Sequence, residues 1–350
     1  MMKKKSSRCS WSELLRQRDS GLCSDSIPIV SNWIASIVAA TATIAFLAIL
    51  LRRAEILPID RPNARSLHDQ PTPRIGGLAL FPGAVLGCLA AGLWDGDSLL
   101  LLGLAGFLFF LSIVDDWRSL PVTLRFGAHL LAAGLLAFGL MGSSALALTA
   151  ALAVAWMTNL FNFMDGANGL AGGMAAIGFA VFGLAFGAPT ASYALTGAAL
   201  GFLVFNFDPA KVFLGDAGSI PLGFLAGGLG LLGVVKGQWP WWFPLLAFSP
   251  FVIDATVTLV RRALRRERVW TAHREHYYQR LVRMGWSHRR LALFEYVLMV
   301  ACGISALILL SAGLQSQVLG LSAWVAIYAG LMLSIDRCWA RSAASRGDRA

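Results

Sequence analysis

Apolar and polar positions divide the chain into eleven long apolar runs joined by short polar links. The runs lie near 32–51, 76–94, 98–114, 122–141, 145–160, 171–187, 191–206, 219–235, 242–260, 291–311 and 317–335. Many approach the ~20 apolar residues that cross about 30 Å of hydrocarbon as a helix. None alternates over the roughly 10-residue segments of a membrane β-barrel. The pattern predicts an all-α, polytopic integral membrane protein with about 10–11 transmembrane helices.

Composition agrees with this pattern. The 350 residues are 57% hydrophobic and only 14% charged, against about 25% charge in soluble domains. Cys9, Cys23, Cys88, Cys302 and Cys338 show no metal spacing and no disulfide framework. The net charge of +10 is concentrated in particular links. Those at 95–97, 142–144, 188–190, 236–241 and 312–316 hold one basic residue, Lys236. Those at 52–75, 115–121, 161–170, 207–218 and 261–290, with the tail, hold most of the others. The positive-inside rule places this second set, and the C-terminus, in the cytoplasm. Basic residues arranged in this way fit a membrane face and not a nucleic-acid surface.

An odd number of spans then puts the N-terminus outside, against the pull of Lys3, Lys4, Lys5, Arg8, Arg16 and Arg18. Residues 1–31 are expected to be a disordered extension, 32–335 a single transmembrane catalytic domain, and 336–350 a disordered cytoplasmic tail.

The candidate chemistry sits in the charged links. Asp115 and Asp116 end a span in FFLSIVDDWRSL, Asp165 lies in NLFNFMDGANGL, and Asp216 lies in NFDPAKVFLGDAGS. Adjacent carboxylates at a membrane edge repel each other unless positive charge joins them. Mg²⁺ does this with a few carboxylates and phosphate oxygens. Gly215 and Gly218 bracket Asp216 and permit close backbone approach. His273 and His276, spaced i, i+3 in a region of ten arginines, suit diphosphate contact or proton transfer. Arg65, His68 and Arg74, in a proline-broken first loop, could reach an anion. Asn159 and Asn162 recur at i, i+3 and can share a helix face. His129 reads as a packed residue, His288 as a surface residue, and Asp254 as a structural carboxylate that pairs with arginine or caps a kink after Pro250.

Six pieces in order resemble one family. They are DRPNARSLH with PTPRIGG, VDDWRSL, NLFNFMDGANGLAGG, NFDPAKVFLGDAGS, PFVIDATVTLVRR and HREHYYQRL, spanning about 58–290. The chain resembles the polyprenyl-phosphate N-acetylhexosamine-1-phosphate transferases, glycosyltransferase family 4 in its membrane sense. The resemblance implies a bacterial inner-membrane enzyme that joins undecaprenyl phosphate to the sugar phosphate of a UDP-N-acetylhexosamine and releases UMP. It implies Mg²⁺, for which Mn²⁺ can stand in, and leaves room for a homodimer. It makes Asp216, with Asp116, the metal ligands, and Asp115, Asp116, Asp165 and His276 the catalytic set. Asn206 and Phe213 fall near the uracil. Asn162, Asn168, Lys211, His273, Arg274, Arg65 and His68 complete the substrate-binding set.

Two departures stand out. The central loop reads DGANG where the family more often has DGxDG, so Asn168 replaces a carboxylate. The last loop reads HREHYYQ, with tyrosines and glutamine where further histidines are usual. The second points to the branch that initiates O-antigen or enterobacterial common antigen. The alternatives are the muramyl-pentapeptide-phosphate transferase and, in another class, a transporter. A transporter would place its charges near the midplane and often shows repeats, neither of which the sequence has.

Overall fold

The computed structural model describes residues 26–53, 58–62, 67, 70–92, 96–185, 190–269, 271 and 273–345. The helices are α1 (Ser26–Leu51), α2 (Gly76–Ala90), α3 (Gly96–Arg118), α4 (Val122–Met141), α5 (Ala145–Phe163), α6 (Leu170–Leu184) and α7 (Thr190–Asn206). They continue with α8 (Asp216–Val235), α9 (Trp242–Ala247), α10 (Ser249–Leu264), α11 (Tyr277–Arg283), α12 (His288–Leu310) and α13 (Leu314–Ser345). Seven of the described helices are long and apolar enough to cross a membrane, and α2, α6 and α7 are shorter apolar helices. The protein is an integral membrane protein.

Every predicted run became helix, but the run at 242–260 is broken. Phe248, at φ −108° and ψ 18°, separates α9 from α10. Pro250 follows two residues on and has no N–H to continue the α9 ladder. The helix that ends the chain also differs from expectation. Residues 336–345, expected as disordered tail, are helical, because Asp336 ties α13 to Arg261 and Arg280. At the other end α1 begins at Ser26, inside the expected extension. Residues 1–25 lie outside the described residues.

Helix α8 is the axis of the bundle. Its membrane-length window is 78% buried, against 6% for α13. It packs on α5, α3 and α2, with α7 closing onto α2 and α6. Glycine makes the tightest of these contacts possible. A Cβ on Gly77 would overlap the backbone of Ala217 and Gly218. The start of α2 therefore lies directly against the N-terminal turn of α8.

The first loop is fixed by a two-stranded antiparallel sheet, β1 (Ile59–Asp60) with β2 (Thr72–Pro73). Phe213 N–H donates to the Pro73 carbonyl at 2.8 Å, and Gly76 and Gly77 N–H donate to the Phe213 and Leu214 carbonyls at 2.8 Å. This stitching joins the first loop to the segment that delivers Asp216.

Candidate active site

The charged links at one end of the bundle enclose a cavity of about 360 Å³. Its wall takes Asp60 and Arg74 from the first loop, Asn162 and Phe163 from the end of α5, and Asp165 to Asn168 from the central loop. Phe213, Gly215 and Asp216 come from the turn into α8, Tyr278 and Gln279 from α11, and His273 and His288 from the segments flanking α11.

Asp216 stands at the first position of α8, preceded by Gly215 at φ +71°. That left-handed backbone suits glycine, and Asp116 Oδ2 and Arg74 crowd the same point. Asp216 accepts from Asn162 Nδ2 at 2.9 Å and meets Arg125 Nη1 at 3.4 Å. Asn162 also donates to Ser219 Oγ at 3.0 Å. Asp116 Oδ2 accepts from the Ala217 N–H at 3.3 Å, on the first turn of α8, where the helix dipole favours negative charge. Asp165 accepts no hydrogen bond from any described residue. Burial, then the charge of Asp216, pushes its carboxyl well above the usual range, with Arg74 opposing. Among the described residues no three His, Cys, Asp or Glu side chains are spaced to hold a metal by themselves.

Asp115 does not join this group. It is buried, accepting from the Leu120 N–H at 2.6 Å and from Arg125 Nη1 at 2.9 Å. Asp115 thus anchors the α3–α4 turn and holds Arg125 beside Asp216.

The two histidines lie at different depths. His273 lines the cavity, and burial, with His276 and Arg262 nearby, pushes it down to about 4. His276, expected to be catalytic, is buried behind it, with ring centroids 4.9 Å apart. Its Nδ1 lies 3.2 Å from Asp254 Oδ1. Asp254 also accepts the Tyr277 and Tyr278 N–H at 2.9 Å each and the Thr258 hydroxyl at 3.1 Å. Asp254 is thus the N-terminal cap of α11, not an arginine partner or a kink cap. From α11, Tyr278 reaches back to donate to the Phe163 carbonyl at 3.1 Å.

The opposite wall is held by amides. Asn206 accepts from the Gly169 N–H at 2.9 Å and donates to the Val212 carbonyl at 2.8 Å, so it spans the two loops. His288, expected at the surface, bridges Asn168 N–H at 3.0 Å and the Leu67 carbonyl at 2.9 Å. His129 is packed as expected, against Asn159 at 3.2 Å. Asn159 therefore does not serve the site, and Asn162 does.

The structure thus gathers Asn162, Asp165, Asn168, Asn206, Phe213, Asp216 and His273 on one cavity. Asp115, Asp116, Lys211, Arg274 and His276 are not on its wall, and Lys211 is exposed. Arg65 and His68 lie outside the described residues.

A profile of glycosyl transferase family 4 matches residues 98–234. A Bacillus subtilis protein, a probable undecaprenyl-phosphate N-acetylglucosaminyl 1-phosphate transferase, is 33% identical over 278 residues, 73% of this chain and 78% of its own. The chain belongs to glycosyl transferase family 4. Two further relatives lie at similar distance. A decaprenyl-phosphate N-acetylglucosaminephosphotransferase of Mycolicibacterium smegmatis is 28% identical over 332 residues, 79% of this chain and 82% of its own. A phospho-N-acetylmuramoyl-pentapeptide-transferase of a Synechococcus species is 29% identical over 296 residues, 74% of this chain and 84% of its own. The family 4 profile takes in Asp115, Asp116, Asp165 and Asp216 but neither Asp60 nor Asp254, His273 and His276. In this family 4 member Arg125, Tyr278 and His288 were not foreseen. Arg125 carried a signal, as the one basic residue inside the predicted apolar runs. Tyr278 and His288 carried none.

Proposed function

We propose that the protein transfers N-acetylglucosamine 1-phosphate from UDP-N-acetylglucosamine to undecaprenyl phosphate, releasing UMP, and so initiates a cell-surface polysaccharide. The observation that carries the reading is the cavity at the charged end of the spans, where Asp165 and Asp216 face Arg74 and Phe213. A soluble nucleotide sugar and a membrane-bound lipid phosphate can meet there. The positive-inside pattern supports a cytoplasmic mouth in the bacterial inner membrane.

Each residue has a role in this reading. Phe213 stacks on the base. Asp216, with Asp165, supplies hard oxygen ligands to Mg²⁺. Mg²⁺ characteristically takes one or two carboxylates and completes its shell with substrate phosphates and water, so the lack of a three-residue cluster suits it. When bound, it would neutralise charge on the diphosphate and template in-line attack. Arg74 and Arg125 balance the aspartates. His273, neutral near pH 7, donates a ring N–H to the diphosphate. Asp116, beside the first turn of α8, orients the lipid phosphate.

The test mixes membranes with UDP-[³H]N-acetylglucosamine, Mg²⁺ and undecaprenyl phosphate. Butanol-extractable label with stoichiometric UMP is expected. A panel that includes UDP-N-acetylmuramoyl-pentapeptide separates the alternative donor. Absence of transfer from every UDP-N-acetylhexosamine sinks the proposal.

A further inference from the structure

Asn168 stands where the resembling family more often has a carboxylate, and it is held from two sides. Its backbone N–H donates to His288 Nδ1 at 3.0 Å. Because that nitrogen accepts, the ring proton sits on Nε2 and is given to the Leu67 carbonyl at 2.9 Å. The side-chain amide donates from Nδ2 to Asp208 Oδ1 at 2.8 Å. A carboxylate only accepts, so this partner fixes which way the amide faces. The polar atom of Asn168 left over is Oδ1, an uncharged acceptor on a residue of the cavity wall.

We propose that Asp208 is a positioning residue that aims the Asn168 carbonyl oxygen at an N–H group of the nucleotide sugar. The two residues then form one unit whose negative charge sits on the outer member. This rests on the nucleotide-sugar reading given above. The recognised N–H belongs to the base imide or to the sugar acetamide, since both present the same donor.

Chemistry makes the pair interdependent. An aspartate at 168 beside Asp208 sets two carboxylates at the 2.8 Å of the present contact. Like charges that close cannot both stay ionised without cost. Exchanging the two residue types restores the bond. The amide at 208 then donates to the carboxylate at 168, whose second oxygen keeps an acceptor in the cavity.

The experiment compares Asn168→Asp, Asp208→Asn and the double variant with the wild-type full chain. Steady-state transfer gives kcat and the KM for each substrate, and calorimetry gives the binding of UMP, UDP-glucose and UDP-N-acetylglucosamine. Asn168→Asp is expected to raise the nucleotide-sugar KM roughly tenfold, as contacting residues couple strongly. Its kcat and its KM for the lipid phosphate should stay near wild type. Asp208→Asn should have a smaller effect, and the double variant should recover most of the loss of Asn168→Asp. A loss shared by UMP assigns the N–H to the base, and a loss confined to UDP-N-acetylglucosamine assigns it to the acetamide. Wild-type affinity in Asn168→Asp, or a double variant no better than Asn168→Asp, overturns the proposal. A wild-type protein that binds nucleotide without transfer overturns the proposed reaction and leaves the pair testable by calorimetry. One that binds no nucleotide overturns both.

Discussion

Removing Asp254 tests whether the active-site wall depends on a carboxylate behind it. Asp254 is buried and meets the cavity through α11 and through His276, which lies against His273. Asp254→Ala leaves the Tyr277 and Tyr278 N–H, each now bonded at 2.9 Å, without a partner. A buried donor left unpaired costs about 1–3 kcal/mol, so these two alone cost about 2–6 kcal/mol. The seven residues of α11 cannot hold a helix by themselves. The loss should therefore emerge as local opening of α11 and not as global unfolding. Opening withdraws Tyr278 and Gln279 from the wall and frees the Phe163 carbonyl that Tyr278 holds. Taking about 3 kcal/mol from that range, kcat/KM should fall by roughly two orders of magnitude. His276→Ala removes one partner of the same carboxylate and should cost about 1 kcal/mol, or roughly fivefold. The assay is UMP release by purified protein, with thermal melting measured alongside. Activity of Asp254→Ala within threefold of wild type would refute the capping argument. So would a collapse of the melting temperature that matches the activity loss.

Three further outcomes are expected. Asp216→Asn keeps the shape but loses the charge that Asn162 and Arg125 flank, so kcat should drop at least ~100-fold and the Mg²⁺ requirement should rise. An unchanged rate and Mg²⁺ titration would remove Asp216 from the metal site. Phe213→Ala should raise the UDP-sugar KM roughly tenfold, since stacking on a base is worth about 1–3 kcal/mol, while the lipid KM stays fixed. His273 is depressed from 6.5 to about 4 by burial and neighbouring charge, so the unfolded chain binds its proton first. Its stabilising effect is full above pH 6.5 and declines as pH falls toward 4. His273→Gln should flatten the fall in melting temperature between pH 6.5 and 4. An unchanged slope would show that His273 does not titrate with folding.

The helices were legible because eleven long apolar runs, many near membrane length, leave little choice of structure. The break at Phe248 was not, since Pro244 and Pro250 can kink a membrane helix as readily as end it. Asp165 and Asp216 were legible as carboxylates in glycine-rich loops at span ends. Their distinction from Asp115 was not. Two adjacent aspartates look alike in sequence, and only the turn into α4 decides that Asp115 faces Arg125. His273 and His276 share a helical spacing, but the segment before α11 is not helix. One ring therefore lines the cavity while the other lies against Asp254. His288 is 120 residues from Asn168 in the chain, a separation that no local pattern reports. Residues whose role is set by their own type were readable, and residues whose role is set by a distant partner were not.

The charges at the end of α8 bear on the proposed binding of a diphosphate with Mg²⁺. Asp60, Asp165 and Asp216 line it, and Asp116 lies behind the turn. Arg74 is committed to Asp60 at 2.9 Å, and Arg125 is shared between Asp115 and Asp216. Each arginine therefore already meets a carboxylate, and Asp165 has no hydrogen bond from a described residue. A diphosphate entering alone would face excess negative charge, which costs most where water is excluded. Asp165 and Asp216 would hold a divalent ion there, and its charge would offset the repulsion between the carboxylates and the diphosphate. Burial, then the charge of Asp216, raises the Asp165 carboxyl well above its usual range, so ion binding should release a proton. Buffer-dependent calorimetry of Mg²⁺ with UDP-N-acetylglucosamine would measure that release. Identical heats in buffers of different ionisation enthalpy would mean that no proton leaves on binding and would refute the release from Asp165.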